Sequence, residues 1–186
     1  MRTTLLSLGL AAIALHASAA DFTRAASFDS VAVFVATAKT FQPATAKSDL
    51  AALFTVRDDD DTAKPVTAPT IQSSTALWSN DALALVFVIA TPPTNGTRSS
   101  VGVLFLLARE RRSWRVSDVV RFTATGKYAG VSAELTAGTG IGYHLGSDSM
   151  WPVITIKESH GGRGYAYQSS ASYTLEASKL KRLELE

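Results

Sequence analysis

Hydrophobic residues from position 83 onwards follow patterns typical of β-strands. Residues 83–90 and 101–108 are apolar at almost every position, which predicts strands buried on both faces. Five further runs of strand length follow, at residues 114–123, 131–135, 153–156, 165–175 and 180–185. Turn signals separate them, and Gly161-Gly162-Arg163-Gly164 is the strongest indication of a hairpin. Since the connections hold no helical pattern, we expect an antiparallel meander.

The front of the chain follows helical spacing instead. Six apolar residues share one predicted helix face: Phe28, Val31, Phe34, Val35, Ala38 and Phe41. They predict a helix that ends before Pro43, although the alternation of Val31, Val33 and Val35 also suits a strand. A second short helix is predicted where Ser48 can cap a stripe formed by Leu50, Leu53 and Phe54, with Asp49 at its positive end.

Together these patterns predict an α+β fold dominated by β-structure. We expect the meander to form a curled sheet or a small barrel. The two short N-terminal helices would cover one face or one mouth of it, because helices of this length need a packing partner to be stable.

The first twenty residues read as a secretory signal peptide. Arg2 gives a positive start, an apolar run extends over residues 5–15, and small residues follow it, as export signals require. Cleavage is expected between Ala20 and Asp21, with Ala19 as the alternative position. The apolar run is about half the ~20 residues that a membrane span needs. We therefore expect a signal peptide at 1–20 and a single β-rich domain at 21–186, with no membrane-spanning segment after processing.

Composition narrows the possible chemistry. The chain has no cysteine, which excludes disulfides, thiolate metal sites and a cysteine nucleophile. An exported protein without cysteine fits a bacterial periplasmic or extracellular location better than a eukaryotic secretory route. The formal net charge of +2 gives no broad electrostatic reason to expect a nucleic-acid partner. The glycine-rich segment 138–142 lacks the third glycine of a dinucleotide-binding loop, so we predict no cofactor, and we predict no metal site.

One carboxylate stands out on a predicted strand. Asp118 follows the apolar phase of Trp114, Val116, Val120 and Phe122. In a regular strand its side chain would point toward the core, where an unpaired charge is costly. Two interpretations remain: an acid at the floor of a ligand pocket, or a local bulge with a structural hydrogen bond to arginine or a backbone amide.

A second group combines aromatic and polar residues. Tyr165 and Tyr167 begin an in-phase stripe along one strand, and His160 and Arg163 border the adjacent turn. Aligned tyrosines can stack on sugar rings and offer hydroxyl groups for polar contacts, although packing with exposed hydroxyls is the simpler reading. We therefore take His160, Arg163, Tyr165, Tyr167 and Asp118 as candidate ligand-binding residues.

Two further clusters have simple alternatives. Glu158 and His160 are two positions apart on one strand face, a spacing that suits an acid–base pair as well as two solvent-facing neighbours. Four arginines crowd the turn near Trp114, where they can meet an anionic headgroup or remain solvated: Arg109, Arg111, Arg112 and Arg115.

We expect a small exported envelope protein that acts as a non-catalytic binding or interaction module. Its partner would be a small molecule, a glycan or an envelope protein. The first alternative is a hydrolase or lyase that uses Asp118 or the Glu158 and His160 pair. The second is an outer-membrane barrel, which is disfavoured because residues 83–90 and 101–108 do not alternate as lipid-facing strands should.

Overall fold

A computed structural model describes residues 22–56, 69–91, 99–136, 151–162 and 164–184. The predicted signal peptide with its Ala20–Asp21 cleavage site and the candidate residue Arg163 lie outside the described residues. The secondary structure of these residues comprises helix α1 (Val31–Thr40), a 3-10 turn (Ala51–Phe54) and eight strands. The strands are β1 (Thr70–Ser79), β2 (Leu83–Thr91), β3 (Ser99–Glu110), β4 (Ser113–Thr125), β5 (Gly130–Thr136), β6 (Val153–Gly162), β7 (Tyr165–Glu176) and β8 (Lys179–Leu183).

The strands form two antiparallel sheets, ordered β1-β2-β3-β4 and β5-β6-β7-β8. Two predictions are confirmed: the fold is dominated by β-strands, and consecutive strands pair antiparallel within each sheet. The expectation of one curled sheet or small barrel is wrong, because the described strands form two separate sheets that do not close into a barrel. Gly126, just after β4, forms an isolated parallel bridge with Gly161 of β6, and side chains of β6 contact β4 at Thr123 and Thr125.

The first sheet is buried on both faces, as its two apolar runs predict. On one face, alternate residues of β2 and β3, such as Val86 and Phe105, contact the N-terminal segment. On the other face, residues such as Leu85 and Leu104 pack against the second sheet, where they meet Ile154. The period of two thus delivers hydrophobic side chains to two separate cores.

The N-terminal segment supplies an aromatic core. Phe105 of β3 lies 5.3 Å from Phe34 and 5.9 Å from Phe22 between ring centroids, and both pairs meet edge to face. Phe22 is 4.5 Å from Phe41, and Phe54 is 6.4 Å from Phe105. Aromatic pairs at these separations add stability beyond the area that they bury.

Helix α1 confirms the first predicted helix. The side chain of Ser30 caps it by accepting a hydrogen bond from the Val33 amide at 3.2 Å. Its buried residues are Phe34, Thr37 and Ala38, so the helical spacing prevails over the alternation of the valines.

The second predicted helix is wrong, because the segment forms only one 3-10 turn. Ser48 still caps it, accepting from the Ala51 amide at 3.2 Å. The carbonyls of Leu53 and Thr55 accept hydrogen bonds from the Arg121 guanidinium at 2.7 and 2.8 Å. The guanidinium thus satisfies two carbonyls at the end of the turn that have no helical partner. Burial against this segment lowers the pKa of Arg121.

Strand β1 was not among the sequence predictions. Its pairing with β2 shifts register twice, between Ile71 and Ser73 and between Ala76 and Trp78. Each shift moves the following side chains to the opposite face, so no regular alternation identifies this strand.

Candidate functional site

The β6–β7 hairpin extends beyond the strand that flanks it. We call its paired segments, residues 158–162 and 165–169, the β6–β7 arm. Its turn contains Gly164 at φ +90°, a conformation that glycine adopts readily. β8 pairs only with residues 172–176 of β7. Among the described residues, no other strand pairs with that side of residues 165–171.

The predicted tyrosine stripe runs from the core into solvent. Tyr173 is 8% exposed and packs at 5.6 Å against the ring of Phe122. Tyr167 and Tyr165 lie in the same phase of β7 but are 55% and 63% exposed. The face of β7 that packs against the first sheet at Tyr173 therefore extends beyond the edge of that sheet. Tyr165 and Tyr167 lie on this extension and are exposed to solvent.

Three rings lie together on this exposed face. His160 stands opposite Tyr167 in the hairpin register. Their rings are 4.7 Å apart with planes 5° from parallel. Tyr165 follows at 6.5 Å from Tyr167, with planes 18° apart. A Cβ atom at Gly162 would lie 3.3 Å from the Tyr165 ring, so the glycine leaves room for that ring beside the backbone.

Side chains of β6 attach the arm to the edge of β4. Glu158 accepts a hydrogen bond from the Thr123 amide at 2.9 Å and one from the Ser169 hydroxyl at 3.2 Å. The Thr125 amide donates to Nδ1 of His160 at 3.3 Å. Glu158 and His160 therefore share one strand face, and each accepts a backbone amide from the neighbouring sheet.

Asp118 lies at a β-bulge, where the register of β3 and β4 shifts between Leu106 and Leu107. Its carboxylate accepts hydrogen bonds from the amides of Val119 at 2.8 Å and Leu180 at 2.9 Å. Leu180 pairs with Leu175 of β7. Tyr165 is ten positions further along that strand, about 30 Å away at ~3.3 Å per residue. The structure brings His160, Tyr165 and Tyr167 together and places Asp118 elsewhere.

Asp118, Glu158 and His160 all accept hydrogen bonds from backbone amides of β4, a role that the sequence analysis did not predict. Antiparallel pairing with β3 leaves alternate amides of β4 directed away from the sheet. The outward amides of Val119, Thr123 and Thr125 donate to Asp118, Glu158 and His160 in turn. One feature of the sequence could have indicated this role. Glu158 and His160 are polar residues at alternate positions that continue the buried face of Ile154 and Ile156.

Burial also affects one titratable group of this stripe. Desolvation of the buried phenol raises the pKa of Tyr173, although the charge of Arg182 acts in the opposite direction. Tyr173 therefore stays neutral to a higher pH than an exposed tyrosine does.

Searches with protein-family models, among curated proteins and among solved structures found no match to this chain. Within the described ranges, no three histidine, aspartate or glutamate side chains lie close enough to hold a metal ion. No described helix is both long enough and apolar enough to cross a membrane. Function must therefore be argued from the geometry of the surface.

Proposed function

We propose that this protein is an exported, non-catalytic interaction module of the bacterial envelope. It binds an extended polypeptide segment, which adds as a strand to the free edge of β7 at residues 165–171. The observation that carries this proposal is an edge with which no described strand pairs, beside which two large aromatic side chains, Tyr165 and Tyr167, are more than half exposed.

Hairpin geometry indicates which backbone groups face the free edge. The turns before and after β7 each join paired residues, Gly162 with Tyr165 and Glu176 with Lys179, across two intervening positions. Such short hairpins close on a hydrogen-bonded pair, and hydrogen-bonded residues alternate along a strand. Odd-numbered residues of β7 therefore bond to β6. The even-numbered residues 166, 168 and 170 present N–H and C=O groups to the edge.

The composition of this edge supports strand addition. Natural sheets protect their edges with charged residues, proline, bulges or covering side chains. β8 carries Lys179, Lys181 and Arg182, β1 is interrupted by two bulges, and β4 is covered by side-chain acceptors. Residues 165–171 carry neither charge nor proline, and they pair with β6 without a register shift.

The side chains indicate what the bound segment would contain. The exposed face holds the rings of His160, Tyr167 and Tyr165, which favour aromatic or other apolar residues at every second position of the partner. The opposite face carries the small or polar side chains of Ala166, Gln168 and Ser170, so it adds little apolar surface. Specificity would therefore come from one face and affinity from the backbone.

The hydrogen bonds of Glu158 and His160 support a binding role rather than an enzymatic one. Both oxygens of Glu158 accept protein hydrogen bonds, and Nδ1 of His160 accepts the Thr125 amide. The single lone pair on Nδ1 of His160 is therefore in use and cannot act as a general base, whereas each oxygen of Glu158 keeps a second lone pair. These groups instead hold the arm in place.

Peptide selection against the chain from Asp21 onwards tests the proposal. Unstructured peptides selected from a display library would be measured for affinity against Gln168→Pro and its matched control Gln168→Ala. Proline removes an outward amide without breaking the bonds to β6. We expect Gln168→Pro to weaken binding by about tenfold or more, whereas Gln168→Ala binds like the wild type.

Other outcomes would overturn the proposal. Equal peptide affinity for the two variants would show that the edge is not used. Binding of glycans but not peptides, lost in Tyr165→Ala, would move the function to ring stacking. A concentration-dependent dimer abolished by Gln168→Pro, without peptide binding, would make a second copy of the chain the occupant.

A further inference from the structure

A second feature lies at the turn between β3 and β4, at the opposite end of β4 from the arm. The turn borders a shallow cavity of about 670 Å³ that is open to solvent and is lined mostly by exposed side chains: Asp29, Glu110, Arg111, Arg112, Ser113 and Arg115. Its three guanidinium groups outnumber its two carboxylates, so the lining is positive. The volume falls in the range of ~300–1,000 Å³ typical of small-molecule sites, which is larger than a bare inorganic anion requires.

The two-residue turn between β3 and β4 places an arginine where a positive φ is needed, as the β7–β8 turn does with Ala177 and Ser178. Arg111 has φ +58°, in the left-handed region that disfavours residues with a Cβ atom. Glycine or asparagine would adopt this conformation at lower cost. Strain of this kind at a cavity wall is a reason to look for a function of the side chain that it positions.

The charges of the turn are only partly neutralised. The Arg115 guanidinium is 3.5 Å from the Glu110 carboxylate, and both side chains are about half exposed. Within the described part of the chain, Arg111 and Arg112 form no ion pair. Their planar guanidinium groups can donate paired hydrogen bonds to the oxygens of a phosphate.

We propose that this cavity binds a small organic phosphate. Arg111 and Arg112 hold the phosphate oxygens, Arg115 is positioned through Glu110, and Ser113 and Asp29 face the hydroxyl groups of the organic part. The phosphate can belong to a free metabolite or to a phospholipid headgroup. The site is independent of the peptide-binding edge proposed above.

Calorimetric titration of the chain from Asp21 onwards with glycerol phosphate and with inorganic phosphate tests this assignment. We expect saturable binding of glycerol phosphate, competed by inorganic phosphate. Arg111→Gly is expected to weaken binding at least about tenfold while raising the melting temperature, because glycine relieves the strain. Arg182→Ala removes an exposed arginine on β8 as the matched control and leaves the affinity unchanged.

Vesicles distinguish the two sources of phosphate. Binding to phosphatidylglycerol vesicles but not to phosphatidylcholine vesicles, competed by glycerol phosphate, assigns the site to a headgroup. Binding of soluble glycerol phosphate alone assigns it to a free metabolite. The proposal is wrong if glycerol phosphate does not saturate the protein, or if Arg111→Gly and Arg182→Ala weaken binding equally.

Discussion

The hydrogen bond between Glu158 of β6 and the Thr123 amide of β4 joins the two sheets, and its contribution to the free energy of unfolding can be predicted. Glu158→Ala removes the acceptor of the Thr123 amide, which is part-buried, and of the Ser169 hydroxyl, which is exposed. A hydrogen bond to a charged group contributes about 1.5–3 kcal/mol. The exposed hydroxyl regains water, so most of the loss comes from the amide. We expect a free energy of unfolding lower by about 2 kcal/mol.

Glu134→Ala is the matched control for that change. Glu134 lies on the neighbouring strand β5 and accepts a hydrogen bond of 2.7 Å from Lys157. This interaction lowers the pKa of Glu134, but both side chains of the pair are exposed. We expect no measurable change in stability, because water replaces an exposed pair readily. Glu158→Gln, which keeps one oxygen acceptor, should recover part of the loss.

Urea unfolding at neutral pH, followed by tryptophan fluorescence, measures all three variants. A loss of about 2 kcal/mol corresponds to a melting temperature lower by about 4–8 °C for a chain of this size. The slope of free energy against urea concentration should stay constant, since the exposed area on unfolding changes little. Equal stability of Glu158→Ala and Glu134→Ala would refute the account of how β4 is covered.

Three further predictions concern other parts of the molecule. Phe105→Ala should lower the free energy of unfolding by about 3–5 kcal/mol in the same urea assay, because the ring contacts three buried phenylalanines; a loss below 1 kcal/mol would contradict the packing. Burial raises the pKa of Tyr173, so its contribution to stability is complete below about pH 10 and is lost as the pH rises through the raised value. Tyr173→Phe should therefore reduce the loss of stability above pH 10 in urea titrations, and an unchanged alkaline slope would be inconsistent with this. Mass spectrometry of the protein exported from a bacterial host should give a chain that begins at Asp21, and a product that retains Met1 would disprove the predicted processing.

Sequence reasoning succeeded where one periodicity dominates. The continuous apolar runs of β2 and β3 predicted burial on two faces, and the glycine-rich turn predicted the β6–β7 hairpin. It failed where pairing geometry changes the pattern, because the two bulges of β1 destroy its alternation. It also predicted a helix near Leu50, where the segment forms only one 3-10 turn whose last carbonyls accept hydrogen bonds from a distant arginine.

At the candidate site, features set by neighbouring residues were predicted from the sequence, and features set by contacts distant in the sequence were not. The shared phase of Tyr165 and Tyr167 was evident from alternation, as was the position of His160 near the turn. Their exposure depends on the length of β8 and on where the first sheet ends, which no local pattern records. The unusual phase of Asp118 was visible, but its partner amide at Leu180 is distant in sequence and was not.

Residue-resolved amide hydrogen exchange along β7 tests the central claim most directly. In the free protein, the amides of residues 166, 168 and 170 should exchange rapidly, while those of residues 167 and 169, bonded to β6, are protected. A selected peptide should slow exchange at the three even-numbered positions. Protection of these amides in the free protein, or rapid exchange that persists when the peptide is bound, would contradict strand addition at this edge.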